Sequence, residues 1–75
     1  MTGAAAATVD ARGMLCPWPA LRLCRMAREL GGSGTIRILA DDPVAGSELA
    51  SLCAERGWSF APDPGDEAAF EVILG

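Results

Sequence analysis

The stretch CPWPALRLCRMARELGGSGTIRILA, residues 16–40, decides the fold. From Pro17 to Leu30, Ala20, Leu23, Cys24, Ala27 and Leu30 recur at the i, i+3, i+4, i+7 spacing of one helix face. Arg22, Arg25 and Glu29 fall on the other face. Gly31-Gly32-Ser33-Gly34 stops that helix, and Thr35 to Ala40 reads as a strand by its β-branched content. Upstream, Val9 to Ala11 starts a short strand, and residues 1–7, small and mostly alanine, read as a frayed tail. Downstream, Asp41-Asp42-Pro43 opens a second helix, with Asp42 as its N-cap and Pro43 in the first helical position. This helix runs to about Arg56, turns Ala45, Leu49, Leu52 and Cys53 inward, and stops at Gly57. Trp58-Ser59-Phe60 alternates as a short strand, residues 61–66 form a turn-rich loop, and Phe70 to Leu74 closes the chain as a strand. The order β-α-β-α-β-β places two helices on one face of a small sheet, an α+β arrangement.

Seventy-five residues leave room for one small domain, expected over residues 8–75. The formal net charge is −4, all six cations are arginine, and there is no His, Lys or Tyr. That excludes a Ser-His-Asp or Cys-His pair, a Schiff base and a phosphate-loop lysine. Without His, the three cysteines cannot build a four-ligand zinc site, so no metal and no cofactor are expected. The acidic balance argues against direct nucleic-acid binding. Cys16, Cys24 and Cys53 are odd in number, with no C-x-x-C, unlike a disulfide scaffold. No signal peptide and no membrane-length apolar run is evident, and the expected setting is a reduced cytoplasm.

Cys16 stands apart from the other two. A residue before proline is pushed out of the α region, which suits a helix N-cap. Pro17 then suits the first helical position, and Pro19 still lies in the first turn, where a missing N–H costs nothing. The amides of Trp18 and Ala20 remain to face a sulfur at the positive end of the helix dipole, an environment that lowers a thiol's pKa. The competing reading is a buried structural cysteine. Cys24 and Cys53 lie on or beside apolar helix faces and read as core. Cys24 is a poor resolving thiol for Cys16, because eight helical residues span about 12 Å. Residues 1–40 carry five arginines against two acids, and residues 41–75 one arginine against eight acids. The thiol therefore sits in a positive half, where Arg12, Arg22 and Arg25 are candidates for thiolate stabilisation or docking of an acidic partner. Trp18 either folds over the helix end or, with Leu21, forms an exposed anchor.

Val9-Asp10-Ala11-Arg12-Gly13-Met14-Leu15-Cys16-Pro17-Trp18-Pro19 resembles the N-terminal signature of the TusA/SirA-like sulfur-carrier proteins, in which an aspartate and a glycine precede Cys-Pro-x-Pro. Arg25 matches a usually basic position of that family, and Ala40-Asp41-Asp42-Pro43 resembles its strand-to-helix turn, with Gly13, Asp42 and Pro43 as turn formers. The resemblance spans about residues 8–75. It implies a two-layer α/β sandwich with a small mixed four-stranded sheet. It also implies that Cys16 accepts a sulfane sulfur as a persulfide and relays it, with Pro17, Trp18 and Pro19 shaping the thiol's surroundings. The implied donor is a cysteine desulfurase or rhodanese-like protein and the implied acceptor a DsrE-type relay protein, serving tRNA thiolation, molybdenum cofactor supply or sulfur oxidation. A thiosulfate-uptake membrane protein is a further implied partner. The residues alone also admit a thiol redox protein, which would need a resolving cysteine, or a non-catalytic interaction module built on Trp18, Leu21 and the arginines.

Overall fold

The structure, a computed structural model, describes residues 6–15 and 17–75. The elements are β1 (Ala6–Asp10), α1 (Trp18–Glu29), β2 (Gly34–Leu39), α2 (Ala45–Arg56), β3 (Ser59–Asp63) and β4 (Asp66–Leu74). The sheet order is β1-β2-β4-β3. β1 pairs parallel with β2, and β4 runs antiparallel to both β2 and β3. This is the expected α+β sandwich of two helices and a mixed four-stranded sheet.

Period-two alternation assigns the faces of β2 and β4. Ile36, Ile38, Val72 and Leu74 are buried, while Arg37, Glu71 and Ile73 between them are exposed. Leu23 and Ala27 of α1 and Ala45, Leu49 and Cys53 of α2 complete the core with Val9. A fully buried Leu, Ile or Val contributes roughly 1.5–3 kcal/mol, so the seven largest buried side chains hold the two layers together.

The main differences from the sequence expectation lie at the starts of β1, α1, α2 and β4, the last beginning at Asp66 instead of Phe70, and at the end of β3. β1 begins at Ala6, within the expected tail, because Ala6 and Ala7 pair with Thr35 and Ile36; backbone pairing needs no β-branched side chain. α1 begins at Trp18, with Pro17 as its N-cap instead of its first helical residue (φ −99°). α2 begins at Ala45, with Val44 rather than Asp42 as N-cap. The Asp42 carboxylate accepts the Val44 N–H at 3.1 Å and its carbonyl accepts the Ala45 N–H at 2.9 Å. Asp42-Pro43 therefore forms an Asx turn ahead of the helix, with Pro43 between turn donor and acceptor. Last, β3 extends through Ala61, Pro62 and Asp63, leaving a hairpin turn at Pro64-Gly65 where a loop was expected. Pro62 is tolerated because β3 is an edge strand.

Both helices end alike. In α2, Gly57 has φ +75°, its N–H donates to the Ala54 carbonyl, and the Trp58 N–H reaches the Cys53 carbonyl at 2.9 Å. The Gly32 N–H to Ala27 carbonyl bond, 3.0 Å, closes α1 the same way.

Candidate functional site

Because β1 and β2 are parallel, the loops after them emerge at the same edge of the sheet. The first loop carries Cys16 and the second carries Asp41 and Asp42. The Ala11 N–H extends the ladder to the Leu39 carbonyl at 2.7 Å, and Ala11 is fully buried. The chain then reverses: the Met14 N–H donates to the Ala11 carbonyl at 3.2 Å, with Gly13 at φ +80°. That is a type II turn, whose third residue needs a positive φ. The Gly13 N–H donates to Asp41 Oδ1 at 2.9 Å, so the second loop holds the first.

Arg12 closes back on Asp10. Its Nε and Nη2 donate to the two carboxylate oxygens at 2.9 and 2.8 Å, and its backbone N–H adds a third bond at 3.2 Å. The Arg12 side-chain hydrogen bonds lower the Asp10 carboxyl to about 2. Arg12 thus spends its guanidinium fork on fastening the turn, a bidentate geometry that Lys would not reproduce.

Cys16 itself lies outside the described residues. Its surroundings do not. The Trp18 N–H donates to the Leu15 carbonyl at 2.9 Å, and the first α1 bond runs from the Leu21 N–H to the Pro17 carbonyl at 3.1 Å. The Trp18 amide is therefore engaged, where the sequence left it to face the thiol. Pro19 is buried under the first turn, and Pro17 is exposed. Leu15, Trp18 and Leu21 are 70%, 59% and 52% exposed. The exposed alternative for Trp18 is the one the structure adopts. Three large apolar side chains within residues 15–21 thus stand in water, although 13 apolar residues are buried among the described residues.

The arginines separate. Arg25 pairs with Glu29 at 3.2 Å across one helical turn. Arg22 lies on the same groove, about 280 Å³ between α1 and β1, with no ion pair among the described residues, and its charge also lowers Asp10. Arg37, on the open face of the sheet, pairs with Asp63 instead. Cys53 is 1% exposed, and burial pushes its thiol up. Cys24, expected in the core, is only half-buried: its Sγ lies 4.0 Å from Arg56 Nη2. Among the described residues, no three His, Cys, Asp or Glu side chains gather as metal ligands, and no helix is long and apolar enough to cross a membrane. Sequence reasoning missed Asp41 as the tether and Leu15 as part of the apolar patch. An acid just past a strand that runs parallel to the strand before the Cys16 loop was the available signal for Asp41.

Comparison with known proteins agrees with this geometry. Residues 7–74 match the family model described as sulfurtransferase TusA. The sulfur carrier protein TusA of Pseudomonas syringae pv. tomato is 30% identical over 64 residues, 85% of this chain and 76% of that protein. The protein of the same name from Pseudomonas aeruginosa is 32% identical over 57 residues, covering 76% of this chain and 72% of its own. The crystal structure of a SirA-like protein from Desulfitobacterium hafniense superposes with a TM-score of 0.75 at 28% identity, over 91% of this chain and 93% of that one. The chain belongs to the TusA sulfurtransferase family.

Proposed function

We propose that this protein is a sulfur carrier that holds a sulfane sulfur as a persulfide on Cys16. The observation that carries the reading is the fastened loop: Gly13 tied to Asp41, Arg12 clasped to Asp10, and Leu15 and Trp18 exposed on either side of position 16. A carrier must offer its thiol to two different proteins in turn. A rigid approach with an apolar rim suits docking, since aromatic and aliphatic anchors supply most of the affinity of a small interface.

In loading, the Cys16 thiolate attacks the outer sulfur of a donor persulfide. A new S–S bond forms at Cys16, the donor's S–S bond breaks, and the donor sulfur leaves as a thiolate. Unloading is the same exchange toward the acceptor's thiolate. The rate depends on thiolate fraction and access. Pro17, Trp18 and Pro19 fix how the loop enters α1, while Arg22 and Arg25 offer positive charge to an acidic partner surface. The donor is a cysteine desulfurase or rhodanese-like protein, and the acceptor a DsrE-type relay protein. A reduced cytoplasm suits the free thiols.

A redox role is less favoured by the geometry. Cys24 is eight residues along, seven of them within the rigid helix α1, and Cys53 is buried, so neither is placed to resolve a bond at position 16. The test is intact-mass spectrometry after incubation with a desulfurase and cysteine. One added sulfur atom on the wild type and none on Cys16→Ser is expected. An unmodified wild type, or equal loading of the variant, overturns the proposal.

A further inference from the structure

The other end of α1 holds a second cleft, which uses none of the residues around Cys16. Its volume is about 410 Å³, and Cys24, Ala27, Arg28, Gly31, Gly32, Arg56 and Trp58 line it. That size lies within the range of small-molecule sites. Two guanidinium groups and no carboxylate border it. Among the described residues, neither Arg28 nor Arg56 has an ion pair, although acids outnumber bases in the chain. The Arg56 guanidinium lies 5.7 Å from the centre of the half-buried Trp58 ring, and its Nη2 is 4.0 Å from Cys24 Sγ. The ring thus orients the guanidinium beside the thiol.

Both arginines stand in the last turn of a helix, where they also offset the negative end of the dipole. That duty is smaller than the charge supplied. Each helix end presents about half a negative charge, whereas each arginine carries a full positive one. The cleft therefore keeps a positive balance, and a guanidinium fork matches an oxyanion.

We propose that this cleft binds a small organic anion, with its oxyanion group shared by Arg28 and Arg56 and its flat or apolar part lying along Ala27 and Trp58. Inorganic oxyanion and organic monophosphate share the first half of this chemistry, and the test separates them. Cys24 serves as the reporter, because a ligand seated between the arginines covers its sulfur.

The full-length protein is alkylated with neutral iodoacetamide, and modification of Cys24 is followed by peptide mass mapping. The probes are adenosine 5′-monophosphate, inorganic phosphate and uncharged adenosine. The expected result is that the monophosphate slows Cys24 alkylation about tenfold at roughly ten times its Kd, while adenosine does not. Phosphate alone protecting equally would support the site with a free oxyanion as ligand. Arg28→Gln, whose side chain is not the one against Cys24, should remove most of the protection, and Arg28→Lys should restore part of it. Circular dichroism confirms that both variants fold. Equal protection by adenosine, no protection by any probe, or full protection in folded Arg28→Gln overturns the proposal and leaves the arginines as helix-end charges alone.

Discussion

The loops after β1 and β2 start side by side from parallel strands, yet they are built in opposite ways. The β2–α2 loop satisfies itself: Asp42 accepts its own turn's amides and Asp41 reaches out to hold a neighbour. The β1–α1 loop is held from outside by Asp41 and leaves Leu15 and Trp18 in water. One loop is a bracket and the other is the part displayed. The difference teaches that the turn ahead of position 16, clasped locally by Arg12 and Asp10, also depends on an aspartate 28 positions from the residue it holds.

The largest effect should come from the displayed loop. Cys16→Ser is expected to abolish sulfur loading with no change in fold, read by intact mass and circular dichroism. Trp18→Ala should weaken capture by the cognate donor by tenfold or more, about 1.4 kcal/mol or above, while the thermal midpoint stays within error because the ring is mostly exposed. Unchanged affinity would mean that the apolar rim is not the docking anchor. Gly13→Ala tests the turn between the loops. No atom lies within 4 Å of an added Cβ, so the cost is the positive φ alone, about 1–2 kcal/mol by urea unfolding. Asp41→Ala removes the bracket's hold and should cost about 1 kcal/mol. It should also raise hydrogen exchange at the Gly13 amide; an unchanged exchange rate would remove Asp41 from the comparison. The smallest effect is local. In Arg12→Gln the Asp10 carboxyl should titrate back toward its ordinary 3.8 from about 2, followed by NMR. The sign follows from the lowered value: the clasp's contribution is present above the ordinary value and fades as pH falls toward about 2.

Much of this was legible in residues 16–40. The period of α1 and the β-branched run of β2 both reflect burial, which leaves a repeating mark in the sequence. Features set by pairing across the sheet were less visible. Ala6 and Ala7 carry no strand signal, and Pro62 carries a contrary one, but β2 and β4 supply hydrogen bonds regardless of side chain. Asp42 has the composition of an N-cap, yet it lies two residues ahead of the cap, Val44. Cys24 was misread because it borders the apolar stripe of α1, and only the meeting of the two helix ends shows Arg56 beside it. Cys16 was the reverse case. The sequence singled it out, and the structure describes the residues on either side of it.

The hydrogen bond from Gly13 to Asp41 also has a consequence in time. It joins residues that come together only after β2 has paired with β1, so forming it requires closing a loop of most of the intervening chain. On a growing polypeptide the cysteine is therefore made well before its turn can be locked. The turn between β1 and α1 is thus completed by a part of the chain made after it.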